Sequence, residues 1–259
     1  MISLREGLQL RKGGVVCFVG AGGKTSLMFR LARELSAGSD SVLTTTTTKI
    51  RMPARDQSET IVISSQREEI ISRAGRFPAT GFHFTAVAEI LSSQNKLKGY
   101  LPEFVDELWE SRRFTWILVE ADGAAGKSLK APAGHEPVIP SSAKRIIGLA
   151  GLDVFGKPFD EHSVFRPEVF AKLTGLALGK AVCASAIAAS FIHAEGIFRG
   201  SPETAGRYIF LNKAEHPREI EAGREIAKIV KKAAPAGIKR ILIGSVLKSP
   251  PVLDQFDIP

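Results

Sequence analysis

Residues 15–35 read VVCFV, then GAGGKTS, then LMFRLAREL: an apolar β-rich run, a glycine-rich turn and a segment of helical period. A strand that enters a helix through such a turn can aim successive backbone N–H groups at phosphate oxygens. The positive helix end and Lys24 would balance the negative charge. The turn spans Gly20, Ala21, Gly22, Gly23, Lys24, Thr25 and Ser26, with the Thr25 hydroxyl placed for Mg²⁺. It is a short GxxGKT form, because Phe18 occupies the place where the longer GxxxxGKT loop has its first glycine.

On either side of this stretch, short apolar runs alternate with helical segments. Strands are predicted at 15–19, 41–47, 60–64, 115–120, 145–151, 207–212 and 240–245, and helices at 24–36, 66–74, 102–110, 180–194 and 217–233. Near-continuous apolar strands with crossover helices predict an α/β fold, a doubly wound and mostly parallel sheet of the P-loop NTPase kind. One nucleotide-binding domain over 1–259 is expected, with an irregular hairpin or lid insertion at about 76–100. The stretch 121–142 carries Gly123, Gly126, Pro132, Gly134, Pro137 and Pro140, which argue for a loop.

Composition narrows the class. The 259 residues contain no apolar run long enough to span a bilayer, and the N-terminal stretch lacks a signal-peptide pattern, so a cytoplasmic protein without a membrane partner is expected. Cys17 and Cys183 lie in apolar stretches and read as buried thiols rather than a disulfide or zinc site. The net charge of +8 is scattered along the chain, which suits a solvated basic surface and no nucleic-acid partner.

A P-loop enzyme needs an acid near Mg²⁺ at the end of a neighbouring strand. WILVE followed by Ala121, Asp122 and Gly123 offers Glu120 and Asp122, which share a face of an extended chain. With Lys24 these are the candidate catalytic residues, and with Thr25 the candidate metal ligands. Thr46, Thr47, Thr48 and Lys49 end the second strand at the sheet edge where doubly wound folds bind ligands. Their hydroxyls could reach metal or phosphate, although threonine is also simply a good strand former.

The run RYIFL leads to Asn212, Lys213, Ala214 and Glu215, similar to the NKxD element of GTPases with Glu in place of Asp. A carboxylate there accepts from guanine N1–H and the 2-amino group, the Lys stem lies over the base and Asn braces neighbouring loops. Ser245, after the strand RILIG, falls where a small residue would meet the guanine oxygen.

Taken together, VGAGGKTS, TTTTKI at 45–50, VEADGAAGKSLKAPAGHEPVIP at 119–140, FLNKAE and the closing IGS resemble the selenium-dependent hydroxylase accessory protein family, often called YqeC. The resemblance implies a role in preparing or inserting the metal cofactor of selenium-dependent molybdenum hydroxylases, with such a hydroxylase or its cofactor as partner. The ExxG spacing of Glu120 to Gly123 is also similar to metallochaperone GTPases, which implies GTP, whereas the short cradle is similar to that of Mur-type ligases, which use ATP. Lys127, Lys130, His135 and Glu136 follow the acidic strand end in a Pro/Gly-fixed loop and form a candidate second site for an anionic cofactor or acceptor. Three functions stay open: a Mg²⁺-dependent GTPase or ATPase, a nucleotide-gated binding module with negligible turnover, and an ATP-dependent kinase or ligase acting on a small anionic substrate.

Overall fold

The computed structural model describes residues 2–258. Fourteen strands occur among them: β1 (Gly14–Gly20), β2 (Ser41–Thr46), β3 (Lys49–Arg51), β4 (Ile61–Ile63), β5 (Phe82–Val87), β6 (Glu89–Leu91), β7 (Lys96–Lys98), β8 (Trp116–Glu120), β9 (Leu129–Lys130), β10 (Ala143–Gly151), β11 (Val164–Phe165), β12 (Gly206–Asn212), β13 (Ile238–Gly244) and β14 (Val252–Asp257). The helices are α1 (Leu4–Gly7), α2 (Lys24–Ala37), α3 (Arg67–Ala74), α4 (Pro102–Glu110), α5 (Pro167–Thr174), α6 (Ala184–Ile192) and α7 (Pro217–Ala233).

Nine strands form one sheet in the order β14-β13-β12-β10-β1-β8-β2-β5-β4, parallel throughout except for β14 against β13. Because side chains alternate across a strand, β1 serves both faces. Val15, Cys17 and Val19 pack into the layer that carries residues of α3 to α7, and Val16 and Phe18 into the layer under α1 and α2. The expected parallel α/β sheet is therefore what the apolar runs build. From β1 the chain passes to β2 on the side of β8, whereas from its other neighbour β10 it passes to β12 on the opposite side, so the carboxyl end of β1 lies at a switch point of the topology.

Two departures bear on the site. The stretch expected to form an irregular insertion at about 76–100 is divided. Phe82–Val87 is an interior strand of the main sheet, because Phe82, Phe84 and Ala86 alternate into the core, whereas β6 and β7 form a hairpin. That hairpin pairs through β7 with β3, giving a three-stranded antiparallel sheet beside the carboxyl edge. The helix expected over 180–194 begins only at Ala184, since Val182 instead exchanges backbone hydrogen bonds with Lys157 and Gly156. Cys183 caps that helix and is half-buried, unlike the fully buried Cys17, so the buried-thiol reading holds for Cys17 alone. No clear periodicity marks the short helix α5 or the final strand β14: α5 is a bare two turns between Pro167 and a left-handed Gly175, and β14 mixes polar with apolar residues on an exposed edge.

Phe84 is fully buried, stacks on Phe77 and Phe82 and meets Phe114 edge-on. Phe84→Ala is expected to cost about 3–5 kcal/mol, the range for deleting a core aromatic. Denaturant unfolding measures this, and a loss below about 1 kcal/mol would contradict the assignment of β5 to the core.

Candidate functional site

The site grows from the carboxyl end of β1. Gly20, Gly22 and Gly23 all have positive φ, at 91°, 82° and 118°. A side chain on Gly22 would run into the backbone of Gly151, and one on Gly20 into the carbonyl of Leu149. Glycine is thus required by both conformation and space. Gly23 caps α2 without a side-chain acceptor, so the first-turn N–H groups, Lys24, Thr25 and Ser26 among them, face the cavity at the positive helix end.

The adjacency of β8 to β1 brings in the acids. Phe18 pairs with Glu120 across the ladder, and two residues on the Gly20 amide donates to Asp122 Oδ2 at 2.9 Å. The buried Lys24 ammonium donates to the Gly20 carbonyl at 2.7 Å and lies 3.1 Å from Asp122 Oδ1 and 3.8 Å from Glu120 Oε1. The Asp122 contact is charge against charge rather than a well-directed hydrogen bond, since Oδ1 accepts none. Thr25 donates to Glu120 Oε2 at 2.6 Å. The four side chains that the strand–turn–helix and the acidic strand end single out are therefore joined in one chain of contacts, Thr25 to Glu120 to Lys24 to Asp122.

Burial would lower the basicity of Lys24, but Asp122 and Glu120 outweigh it and hold the ammonium charged. Burial pushes the Glu120 carboxyl up, against the pull of Lys24 and Thr25. The 121–142 loop extends the alternation of charge. Lys130, with no exposed side-chain surface, sits 2.9 Å from Asp122 Oδ2 and 2.8 Å from Glu136 Oε2, and donates to the Gly123 carbonyl at 2.6 Å. Glu136 also receives Arg166 Nη1 at 2.6 Å. Lys130 thus forms the inner wall of the loop, whereas Glu136, Lys127 and His135 line the open cavity.

The remaining candidates divide. Fully buried Asn212 donates to the Gly22 carbonyl at 2.7 Å and accepts from the Val246 amide at 2.9 Å, bracing the turn against the β13–β14 connection. Lys213 reaches Ser128 Oγ at 2.7 Å and Asp153 Oδ2 at 3.0 Å. Exposed Glu215 accepts from Ser245 Oγ at 3.0 Å, so those two stand together, outside the lining of the main cavity. Thr46 is fully buried and gives its hydroxyl to the Glu120 carbonyl, Thr47 gives its own to Val138, and Thr47, Thr48 and Lys49 line the cavity. Arg166 had no sequence signal. Its left-handed backbone and its approach to Glu136 depend on the junction of β11 with α5, which no local pattern encodes.

The cavity measures about 1580 Å³ and runs from the first turn of α2 to the β3–β7–β6 sheet. Among the described residues no group of three or more His, Cys, Asp or Glu gathers as a metal site. Thr25 and Glu120 line the cavity and offer oxygen donors of the kind a hard cation takes, whereas Asp122 lies behind them, buried against Gly20, Lys24 and Lys130. An anion accepted by the helix end and Lys24, with a cation beside Thr25 and Glu120, is the chemistry these residues fit.

A glycine-rich strand-to-helix turn with its acid on the adjacent parallel strand defines an α/β protein of the P-loop NTPase kind. The family model for the YqeC protein matches residues 16–168. The chain is also 32% identical over 242 residues to the protein YqeC of Escherichia coli (strain K12), covering 93% of this chain and 91% of that one. The chain belongs to the YqeC family.

Two outcomes follow for the charged loop. Lys130→Ala leaves Asp122 and Glu136 buried without their shared cation and is expected to cost about 3–5 kcal/mol in denaturant unfolding. The Glu136 carboxyl, although burial opposes it, is held down to about 2 from 4.5 by Arg166 and Lys130. A depressed carboxylate stabilises the fold fully above its unfolded value and less as pH falls toward its folded one. The stability gap between wild type and Glu136→Gln should therefore be constant above about pH 4.5 and close toward pH 2. A gap that widened in acid would exclude the clamp.

Proposed function

We propose that the chain binds a Mg²⁺–nucleoside triphosphate in the turn Gly20–Ser26, with GTP favoured over ATP, and hydrolyses it in the maturation of selenium-dependent molybdenum hydroxylases. The observation that carries the nucleotide reading is the contact set of Lys24, Thr25, Glu120 and Asp122 at a switch point of the sheet. Lys24 would turn from Asp122 toward phosphate oxygens, Thr25 and Glu120 would hold the cation and its water, and the first-turn amides of α2 would accept the phosphates. Mg²⁺, when bound, supplies charge neutralisation on the phosphates. The hydroxylase role rests on the family resemblance, and a hydroxylase or its cofactor is the partner it implies.

For the base, support comes from Glu215 and Ser245, which meet at adjacent strand ends as the guanine-reading pair would have to. A second reading, ATP-dependent transfer to a small anionic acceptor, is favoured by the cavity volume of about 1580 Å³, which exceeds the roughly 300–1,000 Å³ typical of one ligand.

Lys24→Ala should abolish triphosphate binding or turnover in calorimetric titration and phosphate-release assays, and unchanged affinity in a folded variant removes the nucleotide reading. Glu215→Ala should weaken GTP by about ten- to a hundredfold, the worth of a charged acceptor, and leave ATP unmoved. Glu215→Asp should bind GTP as wild type does. Preference for ATP in the wild type, with Glu215→Ala silent, selects the transfer reading.

A further inference from the structure

The far wall of the cavity is the β3–β7–β6 sheet, and its charge pattern works against its own stability. Lys49 stands directly opposite Lys98 in the ladder, and Arg51 directly opposite Lys96. By the period of two these four cations share one face, while Ile50 and Leu97 bury the other. Like charges facing each other across strands are destabilising, and among the described residues only Lys98 of the four has a carboxylate partner, Glu89 at 3.3 Å.

All four cations line the same cavity as the cradle. Around the whole cavity eight Lys and Arg residues face two carboxylates, Glu120 and Glu136. A solvated basic surface has no need of a concave wall, whereas a concave, unbalanced cationic wall concentrates anions. Tyr100 and Phe104, stacked with ring centroids 4.5 Å apart, line the cavity too and offer apolar surface to the organic part of a ligand. The volume leaves room for a second molecule once the first turn of α2 is occupied.

We propose that the face formed by Lys49, Arg51, Lys96 and Lys98 is a second ligand subsite, which binds a phosphorylated small molecule alongside whatever the cradle holds. It goes beyond the nucleotide reading and uses it only to say which end of the cavity is already taken. Phosphate oxygens on this face would relieve two like-charge pairs at once, so binding should also stabilise the hairpin.

The test is calorimetric titration of the full chain, in the presence of Mg²⁺, with inorganic tripolyphosphate, which both ends of the cavity can accept. Wild type is expected to bind two per chain, Lys24→Ala one, and Arg51→Glu one at accessible concentrations, its other event weakened about tenfold or more. Lys96→Glu should match Arg51→Glu. Each of these two puts a carboxylate opposite the remaining cation, so each should melt at or above the wild-type temperature, which separates lost binding from misfolding. Nucleoside triphosphate affinity should stay unchanged in both.

Two events persisting in both Arg51→Glu and Lys96→Glu overturn the proposal, as does a single wild-type event that Lys24→Ala removes. Loss of nucleoside triphosphate affinity in Arg51→Glu would overturn it as well, by assigning the basic face to the nucleotide itself. Two events persisting in Lys24→Ala, with one lost in Arg51→Glu, would remove the cradle reading and leave the second subsite in place.

Discussion

The arrangement of the site depends on one carboxylate. Asp122 accepts the Gly20 amide, faces Lys24 and faces Lys130, joining the glycine turn, the first turn of α2 and the 121–142 loop at a single point. From there the charges alternate outward, through Lys130 and Glu136 to Arg166 at the head of α5, and through Lys24 to Glu120 and Thr25. Such buried pairs are poor sources of net stability, because desolvation offsets most of their attraction. What they supply is position. Each member, left alone, would be an uncompensated charge in a low-dielectric interior, so the loops that carry them have one arrangement to adopt.

That constraint can operate only because of strand order. β8 lies beside β1, so its acidic end emerges next to the glycine turn rather than a strand away. Any other neighbour would put the Asp122 carboxylate beyond reach of the Gly20 amide. On the other side, β10 and β12 bring up Gly151 and Asn212, the first packing against Gly22 and the second binding its carbonyl. The turn is thus held from both sides of β1, by an ionic contact and by a neutral brace.

Much of this was legible in the sequence, because the local signals agreed. VVCFV, GAGGKTS and LMFRLAREL each report one element, and the order of the apolar runs reported the parallel sheet. Glu120 and Asp122 were legible because a strand period fixes which residues share a face. Legibility ended where partners are distant in the chain. The alternation of Phe82, Phe84 and Ala86 was a strand signal, but the polar stretches around it made it look like part of an insertion. The basic pairs of β3 and β7 are 45 to 49 positions apart and acquire meaning only through the register that sets Lys49 against Lys98 and Arg51 against Lys96. Arg166 belongs to the same class, since its carboxylate lies 30 residues away.

The same network constrains what a ligand must do. Lys24 is already satisfied by a carbonyl and by Asp122, so an anion entering the turn gains only the difference between its own attraction for Lys24 and that of the groups it displaces. A single phosphate offers little advantage over a carboxylate in such an exchange. On the proposed reading a triphosphate with its cation would do better, because Thr25 and Glu120 would hold the cation while the amides of α2 would take the phosphate oxygens. A resting turn that holds its lysine against its own acids therefore selects for a ligand that brings both charges together.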